Sequence, residues 1–351
     1  MRKLVILAAL ICSGVSVPFA GAQNRQQLVI LTFEEMIPPE VIAEFTRETG
    51  IAVEIRTGDY NEDILAALES SGGAGYDLVI ADDYMVDFAI QTGFAQKLNR
   101  RSIANFGNIN PMFQHHFYDP HDEYTVPYGA GILSILYDPS KVNFPIEGYA
   151  DLWNPALRGR VGIIGNYRIV NGFALQTLRK SFNDENVADI NAAGQRLLSL
   201  APNIRVVQDA GLDQEILNGN IFAGIMFTES VTKARMANPN LRVVFPKEGI
   251  GFGIMPAFIP SHAPNAQAAH RFLNFILDPV RGARCFEYLG YYCTFQASEQ
   301  HIRSDLRDFF IMPSNYRNFE FLFNIDEDAD NAHRRIWSSF QTAVERARRG
   351  R

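Results

Sequence analysis

The sequence predicts an α/β protein built as two lobes that are joined by two extended crossover segments. Strand and helix patterns alternate from residue 27 onward, they fall into two separate sets, and a glycine-containing apolar stretch lies between the sets. Such alternation is typical of a mainly parallel sheet covered by helices. The chain of 351 residues also exceeds the roughly 250–300 residues at which a single core stops growing, so two domains are expected.

The N-terminus has the pattern of a secretory signal peptide over residues 1–22. Two positive residues precede an uncharged apolar run from 4 to 17, and small residues before the cut favour cleavage after Ala22. The run is shorter than the about 20 residues that span a membrane. A lipid anchor on Cys12 is disfavoured because the bulky Ile11 precedes it. We therefore expect a protein exported to the periplasm.

Composition limits the possible partners. The chain is 47% hydrophobic and 20% charged, which is typical of a globular protein. Its formal charge of −7 disfavours nucleic acid as a partner and mildly favours cationic solutes. Cys285 and Cys293 remain when the signal peptide is removed. In an exported protein such a pair is either a disulfide or two buried thiols, and the sequence leaves both open.

The first set of elements runs from residue 28 to residue 81. A β-rich run at 28–33 is followed by a proline pair that favours a helix start and by Gly50, which suits a helix C-cap. Residues 51–56 predict the next strand, and Asn61 is expected to cap the helix after it. Residues 76–81 predict a buried strand that leads into an acidic helix start.

The second set contains strand patterns at 161–164, 204–207, 221–227 and 243–245. Two apolar stretches with glycines, 128–137 and 251–259, are long enough to pass from one lobe to the other, and the whole describes a hinged clamshell. The division that we predict assigns 23–131 plus 254–300 to the first lobe, 135–250 plus 304–346 to the second lobe, and 132–134 and 251–253 to the hinge crossovers.

Seven short phrases carry a family resemblance. They are FEEMIPP at 33–39, FTRETGI at 45–51, YDLV at 76–79, VPY at 126–128, ADLWNP at 150–155 with RG at 158–159, FPKEG at 245–249 and LGY at 289–291. In order and spacing they resemble the periplasmic spermidine/putrescine-binding protein family, whose members are the extracellular solute-binding proteins of ABC transporters. The resemblance implies a type II periplasmic binding fold without enzymatic activity, cofactor or metal.

The ligand cleft is expected where strands end. In open α/β sheets, ligands bind beyond the carboxyl ends of the strands, where helix N-termini point. Those places are 33–36, 82–84, 166–169 and 227–230. A polyamine needs carboxylates for its ammonium groups and aromatic faces for its methylene chain. The candidate ligand-binding residues are Phe33, Glu34, Glu35, Asp82, Tyr84, Asn166, Phe227, Glu229, Met255 and Tyr291.

The resemblance implies different roles for these candidates. Tyr84 and Tyr291 keep family tyrosines, while Phe33 and Phe227 replace tryptophans and keep an aromatic face. The acidic candidates have an alternative role, because acidic residues at a helix start also stabilise the helix dipole. For Asp82 and Asp83 the alternative is that they are N-caps only.

Four departures from the family pattern bear on the ligand. Asn166 and Ile169 stand where relatives carry an aspartate and a glutamate, and Gly253 and Met255 stand where relatives carry a tryptophan and an aspartate. Three carboxylates expected for amine binding are therefore missing. Either the acidic candidates elsewhere in the cleft replace that charge, or the solute is less cationic than a polyamine.

A histidine-rich stretch is the one metal-like pattern in the sequence. Adjacent histidines rarely converge on one zinc ion, and an Asp-Pro turn indicates an exposed loop. An exported metalloenzyme is therefore the lesser alternative. The residues of the stretch are His115, His116, Asp119, His121 and Asp122.

The function that the sequence favours is capture of a small cationic amine, such as putrescine or spermidine, by a monomeric protein that delivers it to an inner-membrane ABC transporter permease. Closure of the two lobes would require contacts that exist only when a ligand fills the cleft. A protein of the same fold that binds a non-polyamine organic solute, and an adaptor that senses a ligand without feeding transport, are the alternatives within this class.

Overall fold

In a computed structural model of the protein, the structure describes residues 26–208, 210–292, 294–310 and 319–350. The expected signal peptide and Cys293 lie outside these residues. The strands are β1 (Gln27–Thr32), β2 (Ala52–Thr57), β3 (Leu78–Ile80), β4 (Thr125–Tyr137), β5 (Val161–Ile163), β6 (Ile204–Val207), β7 (Ala223–Phe227), β8 (Arg242–Val244), β9 (Ile250–Phe258) and β10 (Phe319–Phe321).

Helices cover the strands in the alternation that the sequence predicts. The expected helix at the proline pair begins at Pro39, and Gly50 ends it in the left-handed conformation with φ 73°. The helices are α1 (Pro39–Thr49), α2 (Asn61–Ser70), α3 (Asp83–Gln91), α4 (Tyr167–Thr177), α5 (Val187–Leu200), α6 (Leu212–Leu217), α7 (Thr228–Ala237), α8 (Ala266–Ile276), α9 (Pro279–Leu289) and α10 (Glu327–Arg349).

The strands form one continuous sheet in the order β2-β1-β3-β9-β4-β7-β5-β6, with β10 beside β9 and β8 beside β4. Within each half the pairing is parallel, as expected: β1 lies between β2 and β3, and β5 lies between β6 and β7. The middle of the sheet is antiparallel. The reason is topological, because β4 carries the chain to the second half and β9 carries it back.

The crossing of β4 is visible in its pairing. From Thr125 to Ile132 it pairs with β9, and from Leu133 to Tyr137 it pairs with β7. The change of partner falls between Ile132 and Leu133, inside the segment that the sequence marks as a hinge. On the return, Phe252 of β9 is the partner of Ile132.

Buried side chains fall into clusters on either side of this crossing. Leu28 and Ile30 of β1 pack with α1, α8 and α9, while Leu31 faces the cluster that includes α2 and α3. We call the residues of these two clusters the first lobe. Leu133 belongs to another large cluster, which is built on β5, β7, α4 and α5 and which we call the second lobe. Leu306 packs in the first lobe, so the second-lobe segment predicted to begin at 304 begins later.

Cys285 is a free thiol in the core of the first lobe and is fully buried. Burial raises the pKa of this thiol to about 12. Among the described residues, no helix combines the length and the apolar character that crossing a membrane requires.

Candidate functional site

A cavity of about 400 Å³ lies between the two lobes. All ten residues that the sequence proposes as ligand contacts line it. They reach it from the carboxyl ends of β1, β3, β5 and β7, from β9, and from the loop after α9. Lining residues that the sequence did not propose as contacts include Asp59, Asp83, Phe182, Lys233, Phe252 and Glu320.

The first-lobe wall is organised by Asn61. Its amide nitrogen Nδ2 donates to Asp82 Oδ2 and lies 2.7 Å from both that oxygen and the Tyr84 hydroxyl oxygen, while its Oδ1 accepts from the Asp82 backbone N–H at 3.1 Å. The prediction that Asn61 caps α2 is wrong. Tyr60 occupies the N-cap position, and the Asp63 carboxylate in the first turn of α2 accepts from the Tyr60 backbone N–H. Asn61 instead fixes two candidate ligand contacts.

Asp83 lies beside this group and ties the first lobe to the crossover strand. Its two carboxylate oxygens accept from the backbone N–H groups of Tyr84, at 2.8 Å, and of Ile254, at 2.9 Å. Asp83 is buried, and Ile254 follows the crossover segment of β9. The N-cap alternative is therefore not what the structure shows: Asp82 stands at the N-cap position without capping, and Asp83 is a buried acceptor.

Among the described residues, no basic side chain pairs with the acids on this wall. Burial raises the pKa of Asp82, and the nearby Glu62 carboxylate raises it further. Burial also raises the pKa of Asp83 well above its usual range, with Asp82 adding to the effect. The pKa of Tyr84 rises for the same reasons. Two adjacent, desolvated carboxylates create a strong preference for a cation.

The second-lobe wall is arranged differently. Asn166 lies at the N-cap of α4, where its side-chain oxygen accepts from the backbone N–H groups of Arg168, at 3.0 Å, and Ile169, at 3.2 Å. That oxygen is occupied by the helix, so only the amide nitrogen remains for a ligand. Ile169 lines the cavity as an apolar side chain.

Glu229 is the acidic residue that α7 contributes, and it already has a partner. Its Oε1 lies 2.5 Å from Lys233 Nζ, one helical turn further along, and its Oε2 accepts from the Ser230 hydroxyl at 2.8 Å. The carboxylate of Glu320 is also hydrogen-bonded within the protein, because it accepts from the Phe182 backbone N–H at 2.6 Å.

Aromatic rings line the cavity beside the crossover strand β4. A Cβ placed on Gly131 of β4 would lie 3.2 Å from the Phe227 ring and 3.4 Å from the Tyr291 ring, so both rings rest against the glycine backbone. The pKa of Tyr291 is raised by burial and by the charges of Glu229 and Asp82, which come from opposite walls. The acidic groups of both lobes therefore act on Tyr291.

The histidine-rich stretch forms hydrogen bonds and an ion pair within the loop before β4. The carboxylate of Asp119 accepts from the backbone N–H groups of residues 123 to 125, and His115 pairs with Asp122 at 3.1 Å. His116 hydrogen-bonds to the Met112 carbonyl oxygen. Across the described ranges, no group of three or more histidine, cysteine or acidic side chains has the arrangement of a metal site.

A cleft between two α/β lobes, reached from the carboxyl ends of both sets of strands and lined by acidic and aromatic side chains, defines a two-lobe binding protein. The profile of the family described as bacterial extracellular solute-binding protein matches residues 40–305. The chain belongs to this family.

Individual relatives agree with that assignment. The chain is 32% identical over 292 residues to the spermidine/putrescine-binding periplasmic protein of Salmonella typhimurium, and 31% identical over 288 residues to that of Escherichia coli; each match covers 82% of both chains. A solved spermidine/putrescine ABC transporter substrate-binding protein from Streptococcus pneumoniae superposes with a TM-score of 0.80 at 26% identity, covering 91% of this chain and 99% of the other. The predicted fold is confirmed.

Proposed function

We propose that the protein is a periplasmic solute-binding protein of an ABC importer and that it captures a small amine, such as putrescine or spermidine, in the cleft. The observation that carries this proposal is the charge of the cavity. Among the described lining residues, Lys233 is the one basic side chain. The acidic ones are Glu34, Glu35, Asp59, Asp82, Asp83, Glu229 and Glu320.

The proposed binding mode follows from the two kinds of side chain in the cavity. An ammonium group would pair with Asp82, which Asn61 holds in place, because a charge-assisted hydrogen bond is strongest where both groups are desolvated. The methylene chain would pack on Tyr291 and Phe227, whose rings line the cavity beside Gly131. The names of the two enterobacterial relatives support the same class of solute.

Titration calorimetry with putrescine and spermidine tests the proposal, with amino acids and dicarboxylates as competitors. We expect dissociation constants well below millimolar for the amines and no measurable binding of the dicarboxylates. A saturating ligand at a hundredfold excess over its dissociation constant should also raise the free energy of unfolding by about 2.7 kcal/mol. If neither amine binds below millimolar concentration, the solute is of another class. That result would agree with the presence of Asn166, Ile169 and Met255 at positions where the family resemblance implies acidic residues.

Delivery to a permease implies export and a change of shape. We propose a monomer that is cleaved after Ala22 and that closes its lobes over the ligand. Mass spectrometry of exported protein should give an N-terminus at Gln23, and a retained Met1 or a lipid on Cys12 would contradict it. Small-angle scattering should show a smaller radius of gyration on saturation with amine, and an unchanged profile despite confirmed binding would contradict closure.

A further inference from the structure

The two acidic walls of the cleft differ in what already occupies them. On the second lobe, Glu229 has a partner for each oxygen: Lys233 Nζ at 2.5 Å and the Ser230 hydroxyl at 2.8 Å. Lys233 lines the same cavity. Burial lowers its pKa, but the hydrogen bond to Glu229 and the charges of Glu229 and Glu35 outweigh burial and raise the pKa, so the side chain is an ammonium group at neutral pH. The protein thus places an ammonium of its own against this carboxylate.

On the first lobe the situation is reversed. The nitrogen donor to Asp82 is the neutral amide of Asn61, and the donors to Asp83 are backbone N–H groups. In the part of the chain that the structure describes, no basic side chain pairs with either acid. A ligand ammonium would therefore gain most at Asp82 and least at Glu229, where it must compete with a tethered cation.

We infer that Lys233 is a specificity-determining residue, because its ammonium occupies the position beside Glu229 that a second ligand ammonium would take. The cleft then anchors one ammonium at Asp82 and disfavours amines that carry charge along their whole length. The inference rests on the proposed function. Discrimination of this kind comes from a repulsive element as much as from an attractive one. The ligands expected to bind best are short amines with one strongly anchored end.

The test compares n-butylamine, putrescine and spermidine by titration calorimetry on the wild-type protein and on Lys233→Met, which keeps the length of the side chain and removes its charge. We expect spermidine to bind wild type no better than putrescine. In Lys233→Met the preference for spermidine over butylamine should rise about tenfold, because Glu229 is then free to pair with a second ammonium.

Three further variants control for charge, for the role of Glu229 and for side-chain polarity. Lys180→Met removes an ion pair of similar exposure, to Asp189 at 2.7 Å, which does not line this cavity, and should leave all three affinities within twofold. The double variant Glu229→Gln/Lys233→Met should lose the gained preference. Lys233→Gln repeats the test with a polar side chain, and thermal melts confirm that each variant folds.

The outcomes separate the inference from the proposed function. If wild type binds amines but Lys233→Met changes the spermidine preference less than twofold, or no more than Lys180→Met does, the inference is wrong and the amine assignment stands. If a gain appears but persists in the double variant, Glu229 is not the second anchor and the inference is also wrong. If wild type binds no amine, the proposed function fails and the inference fails with it.

Discussion

The acidic groups on the two walls of the cleft differ in whether they already have a cationic partner. On the first lobe, Asp82 and Asp83 are adjacent, desolvated and without a cationic partner among the described residues, and an amide and backbone N–H groups hold them in place. On the second lobe, Glu229 is paired with Lys233, and the side-chain oxygen of Asn166 is used by the helix that it caps.

This difference shows that counting acids in a cleft overstates its attraction for cations. A carboxylate that already has a tethered ammonium adds little, since a ligand must displace that group. A desolvated carboxylate without a partner adds much, because its charge is costly until a cation arrives. We therefore expect the first lobe to contribute more to amine affinity than the second lobe does.

The largest test of the comparison is Asp82→Asn. Removing the unpaired charge should cost about 2–5 kcal/mol of amine binding free energy, the range for losing one partner of a desolvated charge pair. The matching variant on the second lobe is Glu229→Gln/Lys233→Met, which leaves the net charge unchanged. It should cost less than about 1 kcal/mol of amine binding free energy, the range of an exposed ion pair. Calorimetry with putrescine measures both. Equal losses from the two variants would contradict the asymmetry between the walls.

A second test targets the residue that positions Asp82. Asn61→Leu should weaken putrescine binding about tenfold, and it should lower the free energy of unfolding by about 1–3 kcal/mol because the Asp82 N–H loses its buried acceptor. Asn186→Ala is the matched control, since it removes a helix cap from α5, where its oxygen accepts from Ala188 and Asp189, and it does not line the cavity. It should cost about 0.5–2 kcal/mol of stability and leave affinity unchanged. An unchanged affinity in Asn61→Leu would show that Asp82 needs no support.

The pH dependence sharpens the comparison further. Burial raises the pKa of Asp82 and of Asp83, so both acquire protons at a higher pH than exposed aspartates do. Amine affinity should therefore fall as pH is lowered through these raised values, by about tenfold per pH unit once below them. Stability of the ligand-free protein has the opposite sign: the contribution of these groups is fully present below about pH 3.8, the unfolded value, and is lost as pH rises through the folded pKa.

Calorimetry between pH 7.5 and pH 5 follows the affinity, and urea melts without ligand follow the stability. The amine itself stays protonated throughout this range, so the protein is the titrating partner. In Asp82→Asn the affinity profile should be flatter than in wild type. A profile that is equally steep in this variant would place the titrating group elsewhere.

The smallest expected effects come from two crossover glycines. Gly131→Ala brings a Cβ to within 3.2 Å of the Phe227 ring, so a packed side chain must move, and we expect a loss of about 1 kcal/mol of stability. Gly253→Ala meets nothing closer than Asp83 Oδ2 at 4.0 Å, and replacing a strand glycine should stabilise the protein by about 0.5 kcal/mol. Thermal melts distinguish the two, and a destabilised Gly253→Ala would contradict the open space seen beside it.

Much of the site was predictable because strand ends are a local signal. Each apolar run ends where its loop enters the cavity, so Phe33, Tyr84 and Phe227 could be placed from the sequence alone. Lys233 was missed, although its spacing of four residues from Glu229 on one helix indicates an ion pair.

Other features had no local signal. Asn61 resembles a helix cap in sequence, but its partners lie 21 and 23 residues away, at the N-cap and in the first turn of α3. Glu320 reaches the cavity because β10 pairs in parallel with β9, a register that neither segment specifies alone. The antiparallel centre of the sheet follows from how the two halves connect, and the helix and strand patterns do not encode that.

The position of β4 and β9 in the sheet also bears on aggregation. Strand edges with unpaired N–H and C=O groups are templates for pairing with other chains. Here the strands that connect the lobes lie inside the sheet order, bonded to each other and to β3 and β7, while β2 and β6 are at its ends. If the lobes close and open as proposed, a bend of these two internal strands exposes no new strand edge, and so repeated opening would not offer a neighbouring molecule a place to add a strand.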